Sequence, residues 1–172
     1  AKGHLVREID ALGGLMGWVA DRTALQFRLL NRSRGPAVRA PRTQNDKRLY
    51  RETMRSVLEK TRNLVIIEGE VEDLRVRQGR VVGVQLRNGD FLSCTAAVLT
   101  AGTFLNACCY VGHRAVKAGR SGEPSAFALA ARLRDIGFSV GRLKTGTPAR
   151  IARDSVDLSR LPEQTGDPRP TY

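Results

Sequence analysis

The feature that constrains the fold most is a stretch of short strand-like segments separated by tight-turn signals. Residues 71–76 and 81–86 are rich in β-branched side chains, and the intervening Gln78 and Gly79 are typical of a two-residue hairpin turn. Asn88 and Gly89 indicate a second tight turn just before Phe91. The pattern predicts a small antiparallel β-meander at about residues 63–93.

Apolar runs flank this meander on both sides. Residues 64–67, Leu-Val-Ile-Ile, lie between Asn63 and Gly69 and predict a strand. Residues 95–99 predict a buried strand that leads into the turn Thr-Ala-Gly-Thr at 100–103. Small residues after a strand allow the backbone to pass close to another group. We therefore expect the turn at 100–103 to lie next to a binding surface.

The remaining periodic segments predict helices and short connections. Apolar residues at helical spacing predict a helix over 4–17, a second from a cap at Thr43 or Asn45 to about residue 61, and a third from Pro124 to Gly137. We expect short strands at 25–30 and 138–143, a loop at 108–122 and a strand or turn at 156–161. The chain is thus predicted to have an α/β fold.

Positive charge is concentrated in one part of the chain. The net charge is +12, and the stretch from Arg22 to Arg62 contributes +9 of it, from twelve Lys or Arg residues and three acidic ones. Such a field attracts polyanions, although a solvated basic face has the same composition. Aromatic residues make up only 5%, which argues against a base-stacking platform. Nucleic-acid contact is therefore one of two open interpretations.

Two groups of arginines are the candidates for contact with RNA. Residues 35–46 are dense in Arg and Pro, which makes a rigid basic loop suited to phosphate of either a cofactor or RNA. The helix that follows has a polar face carrying further cations. The candidate RNA-binding residues are Arg39, Arg42, Arg48, Arg51 and Arg55.

Cysteine usage and hydropathy exclude several classes of protein. The three cysteines, Cys94, Cys108 and Cys109, form no C-x-x-C motif and fit a reducing compartment better than a disulfide framework. No histidine cluster accompanies them, so we expect no metal site. No apolar run approaches the ~20 residues of a membrane span, and we expect a soluble protein.

The segment Gly-Arg-Leu-Lys-Thr-Gly-Thr-Pro at residues 141–148 is the strongest functional signal. Its glycines and proline impose special backbone geometry, and Arg142, Lys144, Thr145 and Thr147 supply donors for an anionic ligand. A surface loop capped by threonines would have a similar sequence. Lys144 and Thr145 are our candidates for contact with such an anion.

Five motifs in a fixed order give the chain a family resemblance. They are the run KGHLVREIDALGG at 2–14, GPAVR at 35–39, Pro41 and Arg42 with Gln44 and Asp46, LTAGTFL at 99–105, and the segment at 141–148. The chain resembles the glucose-inhibited division protein A family, the large FAD-dependent subunit of a tRNA wobble-uridine modification enzyme. Members begin with a strand, a G-x-G-x-x-G turn and a C-N-P segment, so the resemblance implies an internal or N-terminal fragment.

The resemblance implies a fold and a set of site residues. It implies a partial two-dinucleotide-binding flavoprotein, with a partial FAD-binding domain over residues 1–172, a basic insertion at about 18–62 and a return strand with loops at about 94–150. It places the cofactor against Val71, Ala101, Gly102, Thr103, Ser125, Ala126, Lys144 and Thr145. Serine is common in the family where this chain has Ala126. The resemblance assigns no catalytic residue to this chain.

The resemblance also implies an activity. The family modifies C5 of the wobble uridine of tRNA with an aminomethyl-type group, using FAD, NADH and a methylenetetrahydrofolate-type one-carbon donor. It works with a GTPase partner, typically as a homodimer, in the cytoplasm, or in the mitochondrial matrix or a plastid if a targeting segment precedes Ala1. The alternatives are a two-dinucleotide-binding oxidoreductase without an RNA substrate and a basic RNA-binding module without enzymatic activity.

Overall fold

The computed structural model describes residues 2–168, which divide into two compact units. Of the described residues, one unit comprises 2–66 and 151–168, and the other comprises 67–150. Both combine short helices with small antiparallel sheets, so the fold is mixed α/β. The boundary at residues 66 and 67 falls within the predicted 64–67 strand.

The first unit opens with a helical hairpin. Helix α1 spans Gly3–Ala11 and helix α2 spans Leu15–Arg22, where the sequence predicted one helix over 4–17. Gly13 has a φ of +85°, a left-handed conformation that ends α1, and the Gly14 amide then donates to the carbonyl of Ile9. The predicted single helix is therefore wrong, since the glycine pair forms a helix C-terminus.

An antiparallel ribbon follows the hairpin. Strand β1, Ala24–Leu30, pairs with strand β2, Ala40–Asn45, and this confirms the strand predicted at 25–30. Val19 is fully buried beneath it, and the buried Thr23 hydroxyl donates to the Val19 carbonyl at 2.8 Å. Asn45 fixes the end of β2, because its amide donates to the Ala20 carbonyl at 2.6 Å.

Helix α3, Lys47–Glu59, completes this part of the first unit and confirms the predicted second helix. Its cap is Asp46, whose carboxylate accepts from the Leu49 amide at 2.9 Å. The predicted cap at Thr43 or Asn45 is wrong. Both residues lie in β2, and the Thr43 hydroxyl is 2.8 Å from the side-chain oxygen of Asn45.

Residues near the end of the chain run along the free edge of β1. The Asp167 amide donates to the Phe27 carbonyl at 2.8 Å, and the Gln26 side chain donates to the Gln164 carbonyl at 2.9 Å. Short 3-10 turns at Arg153–Ser155 and Leu158–Arg160 precede this segment, in agreement with the turn predicted at 156–161. These bonds cover part of the edge of β1, which is therefore less available to pair with a strand of another molecule.

The second unit is built on the predicted meander. Strands β3, Val71–Arg77, β4, Arg80–Leu86, and β5, Phe91–Ser93, pair in that order and are all antiparallel. Gln78 and Gly79 have φ values of 49° and 74°, as a hairpin turn with two left-handed residues requires. Local turn chemistry was sufficient to predict this sheet.

The fourth helix packs against the meander. Helix α4 spans Ala128–Asp135 and buries Leu129 and Ala130. Arg132 holds it to β3, donating to the Leu74 carbonyl at 3.2 Å and lying 2.7 Å from an Asp73 carboxylate oxygen. The helix starts later than predicted, because Ser125 and Ala126 form hydrogen bonds to residues 104–107 instead. It ends at Gly137, as predicted, with a φ of +99°.

Three predicted strands do not form. Residues 64–67, 95–99 and 138–143 have no regular structure, and Val98 and Leu143 are 88% and 94% exposed. A strand needs a hydrogen-bonded neighbour, and none lies beside these runs in the part of the chain that the structure describes. The predicted loop at 108–122 instead contains a hairpin of strand β6, Cys109–Val111, and strand β7, Arg114–Val116.

Gly83 offers a test of the meander. It is buried in β4, and a Cβ there would lie 2.3 Å from the Phe91 ring and 2.6 Å from the Leu92 carbonyl oxygen. We expect Gly83→Ala to lower the free energy of unfolding by about 1–3 kcal/mol, because the β4–β5 pairing must shift. Thermal unfolding measures this, with Gly141→Ala as the control, since no atom lies within 4 Å there. Equal stability of the two variants would contradict the packing described.

Candidate functional site

A hydrogen-bonded clamp in the second unit brings several predicted site residues together. The buried Ser125 hydroxyl donates to the Phe104 carbonyl at 2.9 Å and accepts from the Ala107 amide at 2.6 Å. Ala126 adds two backbone bonds of 2.9 Å, from its own amide to the Phe104 carbonyl and from the Asn106 amide to its carbonyl. We call residues 104–107 with 125 and 126 the Ser125 clamp.

The clamp engages the groups that the sequence assigned to a cofactor. Ser125 is 4% exposed, and its hydroxyl has a donor and an acceptor within the chain. The amide and carbonyl of Ala126 are likewise bonded to the facing segment. Ser125 is thus placed as a positioning residue, which acts through the segment that it fixes.

The turn predicted to meet the cofactor leads directly into the clamp. Ala101, Gly102 and Thr103 are exposed, and a Cβ built on Gly102 would meet no atom within 4 Å. Phe104, the next residue, lies against Gly119, where a Cβ would come within 2.3 Å of its ring. The clamp therefore anchors one end of the turn and leaves its backbone open.

Arg142 brings the 141–148 segment to the same place. Both terminal nitrogens of its guanidinium donate to the Asn106 carbonyl at 3.2 Å. Lys144 and Thr145 follow within three residues and are exposed. The sequence analysis grouped Arg142 with the anion donors, whereas the structure gives it the role of attaching the segment to the clamp.

Val71 stands apart from this group. It is the first residue of β3, is half-buried and pairs with Leu86. No hydrogen bond or ion pair among residues 2–168 connects it to the clamp. The structure therefore brings together Ala101–Thr103, Ser125, Ala126 and the Lys144 segment, and it leaves Val71 on the meander.

The arginines of α3 are partly neutralised by neighbouring acids. Arg48 lies 3.4 Å from Glu52 and Arg55 lies 2.6 Å from Glu59, both at helical i,i+4 spacing. Within residues 2–168, Arg51 has no carboxylate partner. The side chains of Arg48 and Arg55 remain about three-quarters exposed. The sequence predicted the face correctly, but its net charge is lower than the arginine count indicates.

Arg39 and Arg42 belong to the β1–β2 ribbon and its connection. Arg39 is exposed and donates to the Arg32 carbonyl at 3.3 Å. Arg42 is half-buried and donates to the Gln26 side-chain oxygen at 3.3 Å, while its Nε is buried without an acceptor in residues 2–168. Arg28, which the sequence analysis did not select, lies opposite Arg42 in the ribbon.

Other classes of site find no support in residues 2–168. These residues contain no group of His, Cys, Asp or Glu side chains arranged to hold a metal ion. None of their helices combines the length and the apolar character needed to cross a bilayer. The thiols of Cys94, Cys108 and Cys109 are free, and that of Cys109 lies 3.3 Å from the Ala118 carbonyl.

Ser125 is testable as a positioning residue. We expect Ser125→Ala to lower the free energy of unfolding by about 1–3 kcal/mol, because the Ala107 amide loses its buried acceptor. Chemical denaturation measures the loss, and hydrogen exchange at Ala107 locates it. Ser121→Ala, at an exposed serine in the same connection, is the matched control. Unchanged exchange at Ala107 would refute the clamp.

The ionisation of Asp167 should make the stability of the first unit depend on pH. Its pKa is held below the ordinary 3.8, first by the hydrogen bond from the Leu29 amide and then, against the opposing effect of burial, by Arg32. Because the folded pKa is lowered, its stabilisation is fully present above about pH 3.8 and is lost as the pH falls through the folded value.

Hydrogen exchange of the Leu29 amide measures this effect. Its protection, corrected for intrinsic exchange, should fall below pH 3.8 in the wild type and be low at every pH in Asp167→Ala. Asp154→Ala, in the 3-10 turn Arg153–Ser155, should behave like the wild type. Protection that is independent of pH would show that the carboxylate does not hold this segment.

Comparison with known proteins identifies the family of the chain. The family described as Glucose inhibited division protein A matches residues 1–172. A Syntrophobacter fumaroxidans protein named tRNA uridine 5-carboxymethylaminomethyl modification enzyme MnmG is 53% identical over 169 residues, which are 98% of this chain and 26% of that protein.

Solved structures give the same result. Two crystal forms of Aquifex aeolicus GidA are 45% identical to the chain, with TM-scores of 0.85 and 0.86. Each match covers 96% of this chain and 27% or 28% of the GidA chain. The chain thus spans about a quarter of the length of these relatives. With a matching family over all its residues and a matching fold, the chain belongs to the glucose-inhibited division protein A family.

Proposed function

We propose that this chain is part of an FAD-dependent enzyme that modifies C5 of the wobble uridine of tRNA with a carboxymethylaminomethyl-type group. The observation that carries the proposal is the 53% identity over 169 residues to a protein named as such a modification enzyme. Because the chain corresponds to 26% of that protein, the activity is proposed for the protein at its natural length.

The open turn beside the Ser125 clamp suits part of a dinucleotide cofactor. Ala101, Gly102 and Thr103 are small and exposed, so a bulky ligand can approach their backbone. Lys144 offers a mobile cation and Thr145 a hydroxyl, which together fit the chemistry of a phosphate. We infer that these five residues contact FAD, that Ser125 acts by holding the turn, and that Ala126 offers its methyl group.

Val71 is a separate part of this proposal. Its place at the first residue of β3 leaves its backbone at the edge of the meander, where the family resemblance puts the adenine. When bound, FAD would carry electrons between NADH and a methylenetetrahydrofolate-type one-carbon donor. The residues of this chain would bind and orient the cofactor.

The basic surface of the first unit is proposed to contact tRNA. Exposed cations supply the sequence-independent part of RNA affinity, and the first unit carries most of the positive charge. The proposed contacts are Arg39, Arg42, Arg48, Arg51 and Arg55. The proposal includes a GTPase partner, a homodimer and a cytoplasmic location, each supported by membership of the family.

Analysis of tRNA nucleosides tests the activity. In a strain that lacks the gene, we expect mass spectrometry of total tRNA to show loss of the modified wobble uridine and accumulation of the unmodified base. The wild-type gene should restore it. If the modified nucleoside persists in the deletion strain and the purified protein shows flavin absorbance, the result would favour an oxidoreductase without an RNA substrate. RNA binding without flavin would favour a non-enzymatic module.

Gly102 tests the cofactor contact. We expect Gly102→Val in the protein at its natural length to reduce the flavin-to-protein absorbance ratio severely, because the branched side chain fills the space against the turn. Circular dichroism should remain that of the wild type, since no atom of the chain lies within 4 Å of the new Cβ. Ala115→Val, at an exposed position of β7, is the control. Full flavin content in Gly102→Val would place the cofactor elsewhere.

A further inference from the structure

Two arginines face each other across the β1–β2 ribbon. The register pairs Arg28 directly with Arg42, and both side chains are half-buried. Residues paired in this way on antiparallel strands have Cβ atoms about 4.5–5.5 Å apart, and like charges at such positions destabilise the pairing. An anion between the two side chains would compensate this repulsion.

No carboxylate of the described chain pairs with either arginine. Arg28 donates to the Gln164 side-chain oxygen at 2.7 Å, and Arg42 donates to that of Gln26 at 3.3 Å. Both acceptors are neutral amides, and neither arginine forms an ion pair within residues 2–168. The Nε of Arg42 is buried and has no acceptor there. The half-buried guanidinium of Arg42 is therefore left without a neutralising charge, whereas Arg28 is close enough to Asp167 to help lower the pKa of that carboxyl group.

The neighbouring residues increase the positive potential. Arg32 and Arg39, in the connection between β1 and β2, are joined by a 3.3 Å bond from the Arg39 Nε to the Arg32 carbonyl. Asp167 is the carboxylate that contacts this group, and it is bonded to Arg32 and to the Leu29 amide. Four arginines thus share one carboxylate, whereas two of the three arginines of α3 have a glutamate each.

We propose that Arg28 and Arg42 form a subsite for a phosphate group. A guanidinium offers planar, paired donors that match a phosphate oxyanion, and an anion between the two side chains would turn their repulsion into attraction. The amides of Gln26 and Gln164 hold the arginines in place without neutralising them, which keeps the site ready for an anion. The phosphate comes from an RNA backbone or from a dinucleotide.

The proposal rests on the proposed function, because it names a phosphate-binding position, with Arg28 as a new member, within the basic surface proposed to contact tRNA. Its first test is the melting temperature of the protein at its natural length, in sodium pyrophosphate against sodium chloride of equal ionic strength. We expect pyrophosphate at roughly five times Kd to raise the Tm by about 1 °C, because the protein at its natural length is several times larger than this chain.

The Arg28→Gln and Arg42→Gln variants should each show no rise in Tm when chloride is replaced by pyrophosphate. Their Tm in chloride should be equal to or above that of the wild type, since the cross-strand repulsion is gone. Arg114→Gln, which removes an exposed arginine from the other two-stranded ribbon, should keep the full increment. An increment retained in both ribbon variants, or lost equally in Arg114→Gln, would overturn the proposal. If Arg42→Gln does not fold, Arg28→Gln decides alone.

A second measurement identifies the source of the phosphate. If it belongs to RNA, Arg28→Gln should lower the salt slope of binding to an unmodified tRNA transcript by about one unit and leave the flavin content unchanged. If it belongs to the dinucleotide, flavin content or nicotinamide affinity should fall at an unchanged salt slope. If the variants lose the rise in Tm caused by pyrophosphate but bind tRNA, flavin and nicotinamide as the wild type does, the subsite has no functional ligand and the proposal is refuted. Loss of tRNA modification activity alone would bear only on the proposed function.

Discussion

Hydrogen-bond pairing of the backbone decides which parts of this chain are ordered. Each strand that forms has its partner close by in sequence, as in the β3–β4 turn at Gln78 and Gly79. The equally β-prone runs at 64–67, 95–99 and 138–143 stay irregular and exposed, because no described strand lies beside them. Strand propensity is thus insufficient without a neighbour.

The same constraint explains what the sequence could predict. The meander, the strand at 25–30, α3 and the end of α4 at Gly137 depend on turn residues and periodicity, which are local. The split between α1 and α2 was missed because Gly13 and Gly14 were interpreted as weakening one helix, whereas a φ of +85° ends it. The β6–β7 hairpin was missed because its strands have only three residues each.

Charge illustrates a second limit of the sequence. A count of residues shows where cations are dense, but it does not show which of them are neutralised. Periodicity on α3 could have shown that Arg48 and Arg55 have glutamates one turn later. The pairing of Arg28 with Arg42 depends on strand register across a nine-residue connection, which no local pattern specifies. The facing pair of arginines therefore includes one residue, Arg28, that lies outside the predicted set.

The Ser125 clamp shows that residues which the sequence motifs named separately are linked by hydrogen bonds within the chain. Sequence motifs selected 101–103, 125–126 and 144–145 as separate contacts with a ligand. The structure connects them, since Ser125 fixes Phe104 and Ala107, and Arg142 fixes the Lys144 segment to Asn106. The Ser125 hydroxyl uses its single donor on the Phe104 carbonyl, so it has no proton left to donate to an anionic ligand. The clamp thus anchors the residue that follows the open turn at 101–103 and accepts the bond from Arg142, two residues before Lys144.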